Sequence, residues 1–184
     1  MRRLSHFAPD GRARMVDVSA KRSTRRQATV EATVRLSPAA FRALMERTLT
    51  KGDAFTVAKI AALQAAKRTD ELIPLCHALP IEQAEVTLTP EPLARSVRVR
   101  ATMTTTAKTG IELEAFVAAT TAALALYDMV KAVDPAAVIS DVQLLSKTGG
   151  QRPFFREKSS RTLTTFAGDA VDWAGHGGRP SERS

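Results

Sequence analysis

Ala28, Val30, Ala32, Val34 and Leu36 alternate with Thr29, Glu31, Thr33 and Arg35, the two-residue period of a strand with one face in a core. Ser37 before Pro38 then supplies a helix cap followed by proline at the first helical position. Phe41, Leu44, Met45 and Leu49 recur at helical spacing and predict a helix of about three turns. Lys51-Gly52-Asp53 interrupts that pattern. Asp53 is placed to cap a second helix, which carries Val57, Ile60, Ala61 and Leu63 toward Lys67 and Arg68. Leu72 to Pro80 reads as an irregular loop. Ile81 to Thr89 and Leu93 to Thr105 alternate again, and Pro90-Glu91-Pro92 between them predicts the turn of an antiparallel hairpin. Ile111 to Val133 is rich in Ala and Leu, has no Gly or Pro, and predicts one long buried helix; Val138 to Leu145 predicts a last strand. The order β-α-α-β-β-α-β predicts an α+β fold, a ferredoxin-like antiparallel sheet with helices packed on one face.

Charge divides the chain more sharply than hydropathy does. Residues 1–26 hold eight Lys or Arg against two acids, residues 151–184 hold six against four, and the stretch between is neutral, so the net +8 comes from the two ends. The expected organisation is a basic, partly flexible segment over residues 1–26, a single catalytic domain over 27–158, and a polar extension over 159–184. A basic chain invites a nucleic-acid-binding or scaffolding reading. No aromatic residues interleave with the basic ones as a stacking platform requires, and the neutral middle makes a polyanionic small molecule the better expectation. The first eleven residues lack the apolar run of a secretory signal. The weakly polar stretch Ala115 to Tyr127 is too short and Ala-rich to span a bilayer, and the single cysteine, Cys76, has no partner for an internal disulfide. A cytoplasmic protein without a membrane segment is expected.

The candidate chemistry follows from where charge interrupts the apolar pattern. Between Ile111 and Lys131 the long helix carries only Glu112, Glu114, Asp128 and Lys131 as charged groups. Asp128 and Lys131, three residues apart, share a face and can act as acid and base, although the spacing alone fits a plain ion pair equally well. Glu114 lies within about 40° of the same face as Asp128 but roughly 21 Å away along the axis. One straight helix cannot bring the two together, so a pocket using both must borrow one end from another chain. Alternatively, Glu112 and Glu114 simply complement the helix dipole. Lys51, Lys108 and Lys147 each stand beside a flexible glycine turn whose amides can approach phosphate oxygens, and Lys67 and Arg68 stand at a helix end. Cys76-His77 cannot build a zinc site, since His6 and His176 lie far off in the terminal segments. His77 is better suited to donate a hydrogen bond to phosphate or to a ring, with a structural loop histidine as the alternative.

Taken in order, Met15-Val16-Asp17-Val18-Ser19, Lys51-Gly52-Asp53, Ala65-Ala66-Lys67-Arg68-Thr69, Leu72-Ile73-Pro74-Leu75-Cys76-His77, Lys108 to Ala115, Tyr127-Asp128-Met129-Val130-Lys131-Ala132 and Lys147-Thr148-Gly149-Gly150 resemble the motifs of the cyclic pyranopterin monophosphate synthase family, the molybdenum cofactor biosynthesis protein C family. The resemblance covers about residues 4 to 158. It implies a homohexamer, a trimer of dimers with active sites at subunit interfaces. The implied reaction takes a cyclised dihydroguanosine triphosphate, made from GTP by an upstream radical enzyme, and rearranges it to cyclic pyranopterin monophosphate and diphosphate, with no metal or other cofactor. By the same resemblance Asp128 and Lys131 are central, Lys51, His77, Glu112 and Glu114 complete the catalytic set, Leu75, Cys76, His77, Leu113 and Glu114 line the substrate, and Lys67, Arg68 and Lys147 hold the triphosphate. Ala78, Ala107 and Val130 depart from the common Pro, Gly and Cys of the pattern without removing a charge.

Overall fold

The computed structural model describes residues 13–156; residues 1–12 and 157–184, with His6, His176 and all of the polar extension, lie outside the described residues. Strand β1 (Thr24–Arg35) carries the alternation that opens the chain, with Ala28, Val30, Ala32 and Val34 buried. It starts four residues earlier than the apolar pattern predicts, because hydrogen bonding to its neighbour continues past the last core side chain as far as Thr24 opposite Ala107. Helix α1 (Pro38–Met45) is capped by Ser37, whose hydroxyl accepts from the Ala40 amide at 3.3 Å. Helix α2 (Ala54–Ala66) is capped by Asp53, which accepts from the Phe55 and Thr56 amides at 3.1 and 3.2 Å. The one-turn α3 (Thr69–Leu72) stands at the start of the region predicted as irregular. Strands β2 (Gln83–Glu91) and β3 (Ser96–Ala107) form the hairpin, then come α4 (Glu112–Val130), β4 (Val138–Thr148) and the two-residue β5 (Phe154–Phe155).

The sheet order is β2-β3-β1-β4-β5, with every neighbouring pair antiparallel. Set β5 aside and this is the β4-β1-β3-β2 arrangement of a ferredoxin-like α+β fold, as the element order predicts. Helix α4 packs on β1, β3 and β4, and α2 packs on α4, so the helices cover one sheet face. By length and hydropathy α4 could cross a membrane, but half of it is buried inside this fold. The opposite sheet face is polar. Thr29 and Thr102 join hydroxyls at 3.0 Å across β1 and β3, and Glu31 accepts from Arg100 at 2.8 Å.

One packing pattern departs from simple hydrophobicity, and one local reading is corrected. On α2 the buried side chains are Ala54, Ala58, Ala62 and Ala66, at four-residue spacing, whereas Val57 and Ile60 are 41% and 51% exposed. The buried side of α4 is itself rich in alanine, through Ala115, Ala118, Ala119, Ala122 and Ala123, and small side chains on both helices allow a close approach that branched residues would obstruct. The hairpin reverses at residues 92–95, since Pro90 and Glu91 still pair with Val97 and Ser96. Pro90 is tolerated because β2 is an edge strand, and Arg95 takes the positive φ of 48° that closes the turn.

Candidate active site

The charged residues of α4 fall into two groups, one at each end of the helix. At the C-terminal end, Asp128 is held between two ammonium groups: Lys131 Nζ lies 2.8 Å from Oδ1 and Lys51 Nζ 2.7 Å from Oδ2. Lys51 also donates to the Asp128 carbonyl at 2.8 Å, placing a cation at the negative end of the helix dipole. The turn that brings Lys51 there uses Gly52 at φ 92° and the Asp53 cap of α2. Hydrogen bonds from Lys131 first and Lys51 second lower the Asp128 pKa to about 2, and the same carboxylate raises that of Lys131. All three side chains remain open to solvent, between 39% and 52% exposed.

At the N-terminal end, Glu114 is 2% exposed, although α4 is otherwise apolar on its buried side. Its Oε1 lies 3.8 Å from Cys76 Sγ, which ties the loop carrying Leu75, Cys76 and His77 to the first turn of α4. Its Oε2 is buried and has no hydrogen-bond partner among the described residues. Burial raises the Glu114 pKa; burial and then the Glu114 charge push the Cys76 thiol up to about 11. Leu113 stands outward at 40% exposure, and Lys67 and Arg68 are exposed where α2 ends and α3 begins. Glu112 turns back over Gly110, occupying the space where a side chain at that position would sit, and its Oε1 meets Lys147 Nζ at 2.8 Å.

Beside Glu112 opens a cavity of about 590 Å³ whose wall carries Lys21, Arg22, Arg26, Lys108, Lys147 and Arg152, with Glu112 the one acid. Lys67 and Arg68 are not on this wall. Arg26 binds the loop after β3, donating to the carbonyls of Ala107 at 2.9 Å and Lys108 at 3.2 Å, and its guanidinium lies over Gly150. Lys108 reaches the Ser19 carbonyl at 2.8 Å. Sequence reasoning misses Arg26, although its position carries a signal. It continues the inward parity of Ala28 to Val34 beyond the end of the apolar run, so an arginine faces the helix side of the sheet where the core stops. Lys21, Arg22 and Arg152 carry no such signal and read as ordinary members of basic terminal segments.

The structure therefore joins Lys51 with Asp128 and Lys131, joins Cys76 with Glu114 and Glu112 with Lys147, and keeps the first group a helix length from the others. The fold and site are those of an α+β enzyme, with carboxylates and lysines paired at both ends of α4 and a strongly cationic cavity beside it. The MoaC family model matches residues 15–150. The chain is 48% identical over 148 residues to the cyclic pyranopterin monophosphate synthase of Rhodospirillum rubrum, covering 80% of this chain and 89% of that protein. It is 44% identical over 169 residues to cyclic pyranopterin monophosphate synthase 3 of Mycobacterium tuberculosis, covering 92% and 95%. A third relative of the same name, from Herpetosiphon aurantiacus, is 46% identical over 153 residues, covering 83% and 93%. The chain belongs to the MoaC family.

Proposed function

We propose that this protein is the lyase its relatives are named for, converting (8S)-3',8-cyclo-7,8-dihydroguanosine 5'-triphosphate to cyclic pyranopterin monophosphate and diphosphate in molybdenum cofactor biosynthesis. The observation that carries the reading is Asp128 bridging Lys51 and Lys131 at the open end of α4. The reaction moves protons on a guanine-derived ring and closes a cyclic phosphate: an internal oxygen bonds to the α-phosphorus as the bond to diphosphate breaks. Asp128, kept ionised, fixes the two lysines; Lys131, kept cationic, enters as a proton donor and electrostatic partner for developing negative charge. Glu112, Glu114 and His77 complete the proton-handling set. Leu75, Cys76 and Leu113 line the ring, where the buried, unpartnered Oε2 of Glu114 suits an N–H donor. Lys147, with Lys67 and Arg68, holds the triphosphate.

The reading carries with it a cytoplasmic homohexamer, a trimer of dimers fed by a radical enzyme that cyclises GTP. What supports shared sites is the separation of the two ends of α4. Laid antiparallel on a copy of itself about a two-fold axis near Thr121, the helix brings the Glu114 end of one chain beside the Asp128 end of the other. The outward Leu113 and Leu124, at 40% and 59% exposure, lie on the face available for that contact.

The test is turnover: purified protein incubated with the cyclised precursor should give a product that oxidises to a fluorescent pterin, and Asp128→Ala should fold yet form none. Normal turnover by that variant would remove Asp128 from the centre of the site.

A further inference from the structure

The cationic cavity beside α4 already holds one anionic group, and that group belongs to the protein. Of the six basic residues on its wall, Arg26 and Lys108 are engaged by backbone carbonyls. Lys147 is engaged by Glu112 at 2.8 Å, with both partners largely shielded at 34% and 26% exposure. Lys21, Arg22 and Arg152 have no side-chain partner among the described residues. Helix α4 begins here with Ile111 in the cap position and no side-chain cap, so the positive end of its dipole also faces this region. A single carboxylate against six cations leaves the cavity strongly positive. We propose that Glu112 is a displaceable stand-in for a diphosphate group: it occupies Lys147 in the free protein, and the diphosphate portion of an incoming triphosphate takes Lys147 over and releases the carboxylate toward the reacting ring. The identity of the anion rests on the functional reading above, whereas the displacement rests on the geometry of Glu112, Gly110 and Lys147.

Three features favour exchange over a fixed structural pair. The diphosphate brings several negative charges and oxygen acceptors where Glu112 brings one charge, so it gains contacts with Lys21, Arg22 and Arg152 that the carboxylate cannot make. Glu112 reaches Lys147 only by folding over Gly110, through space that any side chain at 110 would fill. Release also converts a neutralised pair into a free carboxylate next to the Glu114 end of the site at the moment substrate binds.

Binding of inorganic diphosphate to the full-length protein by isothermal titration calorimetry tests this without turnover. Glu112→Gln removes the competing charge. Gly110→Ala keeps the charge and removes its resting place, at a position with no positive φ to strain an alanine. Both should bind diphosphate more tightly than the unaltered protein, by about tenfold if Lys147 is free one-tenth of the time. Arg22→Ala should bind it more weakly. Equal or weaker diphosphate binding by both Glu112→Gln and Gly110→Ala overturns the proposal, as does absence of diphosphate binding to the unaltered protein. Failure of the pterin assay alone counts against the functional reading and leaves this result standing.

Discussion

Asp128 sits between two ammonium groups, and its charge is therefore settled across nearly all of the working pH range. A carboxylate whose folded pKa is depressed contributes stability above its unfolded value and loses it as pH falls through the folded one. The difference in unfolding free energy between the protein and Asp128→Asn is thus expected to be level above pH about 5 and to close as pH falls from 3.8 toward about 2. Urea denaturation at a series of pH values reads this directly, and a gap that stays constant down to pH 2 would contradict the pairing. Cys76 responds in the opposite sense. With its thiol pushed up from 9.0 to about 11, alkylation by iodoacetamide at pH 8 should be slower than for a free thiol by on the order of tenfold, a roughly hundredfold loss of thiolate being partly offset by the greater nucleophilicity of a more basic sulfur. Glu114→Gln, which removes the neighbouring charge, should speed it. At this scale the sequence is legible where a charge interrupts an apolar run, as at Asp128 and Glu114. It is not legible for Arg22 or Arg152, whose cavity exists only once three distant loops meet.

Between elements, the contact most sensitive to volume is the alanine seam of α2 against α4. Ala58 and Ala62 are fully buried, so Ala62→Leu should destabilise the fold by about 1–3 kcal/mol through overpacking, measured by urea denaturation. Val57→Ala, on the exposed side of α2, should cost far less. The same seam shows where hydrophobicity alone misleads. Periodicity ranks Val57 and Ile60 above the alanines as core residues, but a helix that must lie close to another buries its smallest face. The buried stretch of β1 from Ala28 is legible because its core alternation is uninterrupted, whereas its first four residues and β5 are not: Thr24 to Gln27 bury no core side chain, and Phe154 and Phe155 have no room for a period. The hairpin turn shifts because a proline on an edge strand looks, in sequence, the same as a proline in a turn.

For the whole molecule, the proposed sharing of sites between chains makes a prediction that no single-chain site would. Mixing an inactive Asp128→Ala protein with an inactive Glu114→Gln protein, after subunit exchange, should restore activity to about a quarter of the unmutated level. Half of randomly paired dimers are mixed, and each of these holds one intact site of two. Activity that stays at the level of the separate variants would place both residues in the same chain's site or leave one of them unused. The separation behind this prediction is readable from residue spacing alone; the outward face of α4 is not, because Leu113 and Leu124 look like core residues until the sheet is in place.

Helix α4 thus acts as a ruler of fixed length. Loops elsewhere in the fold tolerate added or lost residues, since their ends are anchored independently. Inside α4 a single insertion would rotate Asp128 by about 100° relative to Glu114 and lengthen the span by about 1.5 Å. A one-residue insertion within residues 112–130 is accordingly expected to abolish turnover in the pterin assay, where the same insertion in a surface loop is tolerated.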